Sequence, residues 1–265
     1  MNTCIYRLLS LCFFLPFLES TAQTIGTFTF VGPGPQTQSL VLPSTHTFQR
    51  IIKTDDALND ATTLGPNLDF TGYVPIGGSS LSGYLSISSE ATPGQVAIMN
   101  VAYNFAANLW DKTNSGNVGF STGTINSDLG TVRTFCSGTV TPRGTVIIGE
   151  ENTTAGNVNS NIDAYEDLGW LIEINPATKQ VMDYNGDGKQ DKIWAAGRGR
   201  HENAVVKNDE TIMYWGADDL TNGYMYKYVP TVAGNYSSGS LYVLKTTAAL
   251  GTGTWEIVPN STPAQ

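Results

Sequence analysis

Short segments rich in β-branched and aromatic residues, separated by Gly, Asn and Pro, run through most of the chain and constrain its fold more than any other feature. No segment carries a convincing helical pattern, and short runs bounded by turn residues are typical of strands. The predicted strands are Gly26–Val31, Phe48–Lys53, Gly83–Ser88, Gln95–Ala102, Thr145–Ile148, Leu168–Ile174, Glu210–Trp215, Tyr224–Val229 and Ser240–Leu244. Strands that follow one another in this way predict an all-β sandwich, barrel or propeller.

One recurrence favours the propeller. An apolar strand ends in an acid at Glu90, Glu151 and Asp219, and each acid is followed by a loop and another apolar strand. The intervals of 61 and 68 residues are wider than the roughly 40–50 residues of common propeller repeats, so each unit would carry a long loop. If the units are blades, the acids converge at one mouth of the channel and repel one another unless cations lie between them. Three unrelated strand-end turns are the alternative.

The N-terminus has the features of an export signal. Arg7 precedes a mostly apolar run over residues 8–18, which ends at the small residues Ser20, Thr21 and Ala22. The run is too short to span a bilayer, which needs about 20 residues. We therefore expect a secretory signal over residues 1–22, a propeller domain over residues 23–265, and a secreted or periplasmic protein without membrane insertion.

The cysteines become informative once that signal is removed. Cys4 and Cys12 lie within it, which leaves Cys136 as the single cysteine of the mature chain. One cysteine cannot form an internal disulfide, so Cys136 is either an inert buried thiol or a metal ligand.

The charge of the chain limits its partners. A formal net charge of −9 and a pI near 4.6 argue against nucleic acid, whose binding relies on Lys and Arg. Acidic side chains suit calcium, which takes oxygen ligands, although solubility is an equally simple reason for them.

The segment from Cys136 to Glu151 is the most distinctive in the chain. Gly138, Pro142 and Gly144 favour turns, so Cys136 is predicted to lie on a loop before the strand that ends at Glu150 and Glu151. A thiolate beside carboxylates is the mixed soft and hard ligand set that suits a transition metal next to calcium.

This segment resembles the Cys-x-Gly-x-x-Thr-Pro-x-Gly-Thr…Glu-Glu signature of the PhoX-type alkaline phosphatases. The resemblance continues in four further segments, Gly169–Pro176, Gly197–Glu202, Tyr214–Asp219 and Tyr226–Val229. It covers most of residues 40–245, and the Cys-to-Glu-Glu and His-Glu segments are its specific parts.

The resemblance implies a β-propeller that hydrolyses small phosphomonoesters at alkaline pH with ferric iron and calcium ions. By residue, it implies that Cys136 is an iron ligand and that Glu151 and Glu202 are carboxylate ligands, and these three are the predicted catalytic residues. Glu90 and Glu150 are further candidate metal ligands. Metal ions in such a site neutralise phosphate charge and stabilise the attacking and leaving oxygens.

The chain also departs from the family pattern. Ser88-Ser89-Glu90 stands where Asn-His-Glu is usual, and Arg143 replaces an aromatic residue. Nothing after Tyr226 matches the family's Arg-Pro-Glu segment, and residues 246–265 contain neither Arg nor Asp. These departures predict an N-terminal portion of the propeller with an incomplete metal site, in which phosphatase activity could be lost. The alternative is a non-enzymatic, calcium-stabilised propeller that binds surfaces.

A second metal signal is the segment from Asp183 to Asp191. Its oxygen side chains, Asp183, Asn185, Asp187 and Asp191, occupy positions 1, 3, 5 and 9 of a calcium loop, with Gly188 at position 6. Trp194 replaces the glutamate expected at position 12. The segment is therefore either a structural calcium site or a plain turn.

Overall fold

The structure, a computed structural model, describes residues 31–32, 34–35, 41–43, 48–121, 129–153, 165–220, 223–247 and 251–259. The chain divides into two compact units, Met1–Gln49 and Arg50–Gln265. The described residues of the first unit are in neither helix nor strand. The predicted signal over residues 1–22, with Cys4 and Cys12, and nearly all of the predicted strand Gly26–Val31 lie outside the described residues.

Within the second unit, the described residues form thirteen strands in three antiparallel sheets. Sheet 1 contains β1 (Leu68–Pro75), β2 (Ser82–Ser89), β3 (Gln95–Asn104) and β4 (Leu109–Asn117). Sheet 2 contains β5 (Phe135–Val140), β6 (Val146–Glu150), β7 (Leu171–Asn175) and β8 (Gln180–Val181). Sheet 3 contains β9 (His201–Val206), β10 (Met213–Ala217), β11 (Met225–Val232), β12 (Asn235–Thr246) and β13 (Gly253–Ile257). The described helices are two single 3₁₀ turns, Ile76–Gly78 and Trp194–Ala196.

The three sheets are arranged as propeller blades. In each sheet the strands are hydrogen-bonded in chain order, which makes every sheet a simple meander. The first strands meet one another, because β5 contacts β1 of the sheet before and β9 of the sheet after. A propeller places four-stranded meanders around a central channel in this way. Among the described residues, none of the three sheets closes on itself, and the predicted all-β, incomplete propeller is confirmed.

Sheet 2 is buried on both faces. Val146 and Ile148 of β6 pack into an apolar cluster with residues of sheet 1, such as Ile98. Ile147, between them, packs into a second cluster with residues of sheet 3, such as Met213. Successive side chains of a strand point to opposite faces, so a strand covered on both sides is apolar throughout. This packing explains why the run from Val146 to Ile148 is continuous rather than alternating.

Seven of the nine predicted strands are confirmed within β2, β3, β6, β7, β10, β11 and β12. The predicted strand Phe48–Lys53 is wrong, because Ile51 and Ile52 pack against the apolar cluster of sheet 1 without strand pairing. The predicted loop at Cys136 is also wrong, because Cys136 is the second residue of β5. Gly138 does not form a turn. It allows β5 to lie close to β6, since a Cβ at this position would lie 2.1 Å from the Ile147 carbonyl oxygen.

A buried polar network joins sheet 2 to sheet 3 at the hairpin end of β5 and β6. Arg143, in that hairpin, pairs with the fully buried Glu173 of β7. It also pairs with Glu210, before β10, at 3.4 Å, and its guanidinium lies 4.9 Å from the ring centre of Tyr236. Thr145 and Tyr184 donate further hydrogen bonds to Glu173. The arginine that replaces the family's aromatic residue therefore connects two blades.

A second buried ion pair lies at the other end of β6. Lys192 Nζ is 2.9 Å from Glu150 Oε2, and both side chains are completely buried. The Glu150 carboxylate also accepts hydrogen bonds from the backbone amides of Arg133, Gly169 and Trp170. Burial raises the pKa of Glu150, while Lys192 and the backbone amides of Trp170 and Arg133 act in the opposite direction. The pair therefore depends on complete hydrogen bonding inside the protein.

We expect Lys192→Met to destabilise the fold by about 3–5 kcal/mol, because it leaves the Glu150 carboxylate buried without its cation. Urea denaturation followed by tryptophan fluorescence measures the change. Lys207→Met is the matched control, since Lys207 pairs with Asp209 at the surface and should change stability little. Equal losses of stability for the two substitutions would show that the buried ion pair contributes no more to stability than the surface pair.

Candidate metal centre

Each blade places a potential metal ligand at the same position of its first strand. Asp69, Cys136 and Glu202 are the second residues of β1, β5 and β9. The Cys136 Sγ lies 3.5 Å from Asp69 Oδ2 and 3.4 Å from Glu202 Oε2. Three residues separated by more than 65 positions in the chain therefore meet at one end of the blades.

The strand pairing is irregular beside each of these residues. The register of β1 with β2 shifts between Leu68 and Thr71, and that of β5 with β6 shifts between Phe135 and Gly138. The register of β9 with β10 shifts at Ala217, which pairs with His201. Bulges re-aim side chains and are common beside functional sites. The same irregularity in all three blades brings the three ligand-type side chains to one place.

The acids at the ends of the second strands complete the cluster. Glu90 directly follows β2, and Glu151 directly follows β6. Two groups of potential ligands result, Asp69–Glu90–Cys136 and Cys136–Glu151–Glu202, each with ligand atoms within 4.8 Å of one another. Cys136 belongs to both. The predicted convergence is seen for Glu90 and Glu151, whereas neither group of described residues includes Asp219.

The electrostatics of this cluster favour a bound cation. Burial raises the pKa of the Cys136 thiol far above its usual value, and the carboxylates of Asp69 and Glu202 raise it further. Burial also raises the pKa of Glu151 to about 7, with contributions from Glu90 and Glu202, whereas Arg200 opposes the shift. Acidic groups held this close repel one another when all are ionised. A metal ion relieves the repulsion and deprotonates the thiol that it binds.

The donor set fits the metals that the resemblance implies. One thiol offers a soft ligand, and four carboxylates offer hard oxygen ligands. Thiolates suit transition metals, and carboxylates suit calcium. The residues present are therefore chemically suited to iron and to calcium.

Neighbouring groups hold Cys136 in position. Ser88 Oγ donates a 2.9 Å hydrogen bond to the Cys136 carbonyl oxygen and accepts one of 2.9 Å from the Phe70 backbone amide. Ser88 is completely buried, so this link between sheets 1 and 2 is shielded from water. The serine that replaces the family's usual residue thus has a structural role beside the thiol.

Other predicted ligands lie apart from the cluster. The Glu150 carboxylate faces Lys192 and the three backbone amides described above, so neither group of described residues includes it. Asp183, Asn185 and Asp187 accept hydrogen bonds from backbone amides of their own loop, and Asp191 accepts one from Tyr184. Metal binding by Glu150 and by this loop stays a prediction.

His201 has the environment of a structural residue. It is completely buried, its ring centre lies 4.0 Å from that of Trp215, and its Nε2 lies 3.1 Å from the Gly197 carbonyl oxygen. Burial lowers its pKa to about 4, so the imidazole is neutral at neutral and alkaline pH.

Sequence reasoning missed two residues of this region. Asp69 lies at the polar start of β1, a strand that no apolar run indicated. Arg200 lies in the segment Gly197–Glu202, but no local pattern indicates that it contacts Glu151. The run Asn67-Leu68-Asp69-Phe70 offered only an acid beside apolar residues, and that pattern is too common to indicate a ligand.

A known protein family matches the part of the chain that holds most of these residues. The family model described as alkaline phosphatase PhoX matches residues 112–265, which is more than half of the chain. Cys136, Glu151 and Glu202 lie within the matched residues, whereas Asp69 and Glu90 precede them. No curated protein matches the chain.

Gly149 allows β6 to approach β9 beside the cluster, and we expect Gly149→Ala to disturb both. A Cβ at position 149 would lie 2.7 Å from the carbonyl oxygen of His201 and 2.8 Å from the Cβ of His201. Overpacking of this kind costs about 1–3 kcal/mol and would separate Glu151 from Glu202. Denaturation and metal titration measure the two effects.

Gly216→Ala is the matched control, because a Cβ at this position of β10 meets nothing within 4 Å. If Gly149→Ala kept the stability and the metal binding of the wild-type chain, β6 and β9 could move apart without disturbing the fold or the cluster.

Proposed function

Because the chain belongs to the alkaline phosphatase PhoX family, we propose that it is a metal-dependent phosphatase acting on small phosphomonoesters. The family is one of metal-dependent phosphatases, and membership suggests small phosphorylated substrates. The observation that carries the proposal is the meeting of Cys136 with Glu151 and Glu202 within 4.8 Å, from two blades of the propeller.

Cys136 would bind ferric iron, and the surrounding carboxylates would bind iron and calcium. Asp69 and Glu90 extend the ligand set beyond the residues that the family model matches, on the other side of Cys136. Bound there, the ions would neutralise the charge of a phosphate group and stabilise the oxygens that attack and leave the phosphorus. The described side chains contribute by holding the ions close together at one end of the blades.

We propose that the protein is exported. Members of the family are typically extracellular or periplasmic. In the described part of the chain, no helix is both long enough and apolar enough to cross a membrane. The small residues Ser20, Thr21 and Ala22 after the N-terminal apolar run support cleavage of a signal over residues 1–22.

The loop from Asp183 to Asp191 is proposed as a separate, structural calcium site. Asp183 accepts hydrogen bonds from the backbone amides of Gly186 and Gly188, at 2.6 and 2.9 Å. These hydrogen bonds close a turn in the loop. The oxygen-bearing side chains of the loop all belong to this one short segment. Calcium accepts such flexible oxygen ligands, and the site would stabilise the connection from β8 towards β9.

The first experiment is elemental analysis of the purified chain for iron and calcium, with a phosphomonoester assay at alkaline pH. We expect iron in the wild-type chain and its loss in Cys136→Ser, because a hydroxyl is a poor substitute for a thiolate ligand. Phosphate release should fall with the iron.

Glu256→Gln is the control, since Glu256 is an exposed acid of β13. Calcium without iron and without hydrolysis would contradict the proposal and favour a calcium-stabilised propeller that binds surfaces. Iron that persists in Cys136→Ser would show that the thiol is not a ligand.

For the loop, we expect Asp183→Asn combined with Asp187→Asn to remove about one calcium ion per chain, because two charged ligands become neutral. Iron content should stay unchanged, since neither residue belongs to the cluster at Cys136. Elemental analysis after gel filtration measures both metals. Unchanged calcium would identify the segment as a plain turn.

A further inference from the structure

Arg200 makes two contacts with a single residue of the proposed metal centre. Its Nε donates a 3.1 Å hydrogen bond to the Glu151 carbonyl oxygen. Its Nη2 lies 3.0 Å from Glu151 Oε1, in a charge-assisted hydrogen bond. One guanidinium thus binds the main chain and the side chain of Glu151 together. The family motif Gly-Arg-x-x-His-Glu leaves the position of Arg200 unspecified.

Both partners of this contact are held by their own blades. The Arg200 carbonyl oxygen accepts a 3.0 Å hydrogen bond from the Asp218 amide, at the end of β10. The Glu151 amide donates a 3.1 Å hydrogen bond to the Thr134 carbonyl oxygen, just before β5. The contact therefore joins sheet 2 to sheet 3 at the end where the ligand-type side chains meet.

The position of Glu151 explains why such a contact is needed. Its carboxylate lies close to those of Glu90 and Glu202, which repel it when all are ionised. A glutamate side chain has three rotatable bonds, and repulsion would turn a free one towards water. Arg200, which is about one third exposed, opposes that movement through its 3.0 Å contact with Glu151 Oε1.

We infer that Arg200 is a positioning residue that holds Glu151 in the orientation needed to bind metal. The inference rests on the proposed metal-dependent function and adds to it a residue that acts through a ligand instead of contacting the ion. Partners of this kind typically change metal affinity by about 10–100-fold when they are removed. Lysine cannot replace the arginine fully, because an ammonium group lacks the planar fork that makes both bonds.

The test is competition between the purified chain, loaded with ferric iron and calcium chloride, and a chelator. Elemental analysis after desalting measures the chelator concentration that removes half of the iron. We expect Arg200→Gln to weaken iron retention about 10–100-fold and Arg200→Lys to give an intermediate loss. Lys207→Gln removes the same charge from the other end of β9 and should leave retention unchanged.

A double-mutant cycle separates positioning from general damage to the fold. In a Glu151→Ala background, Arg200→Gln should change iron retention by no more than about twofold, because its partner is already absent. Equal losses in both backgrounds, or no loss in the wild-type background, would overturn the inference. A wild-type chain that binds neither metal would instead refute the proposed function, before any variant is compared.

Discussion

Burial of sheet 2 on both faces is the constraint on which the rest of the structure depends. Val146 and Ile148 pack against sheet 1, and Ile147 packs against sheet 3, so water reaches neither side of β6. Polar atoms in this sheet must then find partners inside the protein, since an unpaired buried charge costs several kcal/mol. The pairs of Lys192 with Glu150 and of Arg143 with its acids follow from this requirement.

The same close packing gathers negative charge at one end of the blades. Because β5 lies between β1 and β9, one side chain from each strand reaches a common point. Four carboxylates and a thiol in so small a volume would repel one another without cations. Two arginines tie sheets 2 and 3 at opposite ends of their boundary: Arg143 at the hairpin of β5 and β6, and Arg200 beside Glu151.

The proposed metal centre is divided between two parts of the chain. The matched residues 112–265 supply Cys136, Glu151 and Glu202, whereas sheet 1 supplies Asp69 and Glu90 from the preceding residues. Cys136 belongs to both ligand groups, and Ser88 of sheet 1 holds its carbonyl oxygen. The matched residues alone therefore supply only one of the two ligand groups in full.

Local patterns were sufficient for much of the fold. Apolar runs identified seven strands, because a strand that is buried on one or both faces must carry apolar residues. They missed β1, β4, β5, β9 and β13, where polar residues interrupt the pattern, and β8, which is only two residues long. They also predicted a strand at Phe48–Lys53 that does not form, since apolar residues can pack against a sheet without joining it. The sequence predicts a turn at Gly138, whereas in the structure this glycine allows β5 to lie close to β6. Only the position of β6 distinguishes the two roles.

For the site, the chemical types of Cys136, Glu151 and Glu202 could be recognised from motifs, because residue type and short spacing are written in the chain. The contacts of Asp69 with Cys136, across 67 residues, and of Arg200 with Glu151, across 49, could not. Neither follows from a local pattern: each arises only when separate blades pack together, and that packing depends on the shape of the whole core.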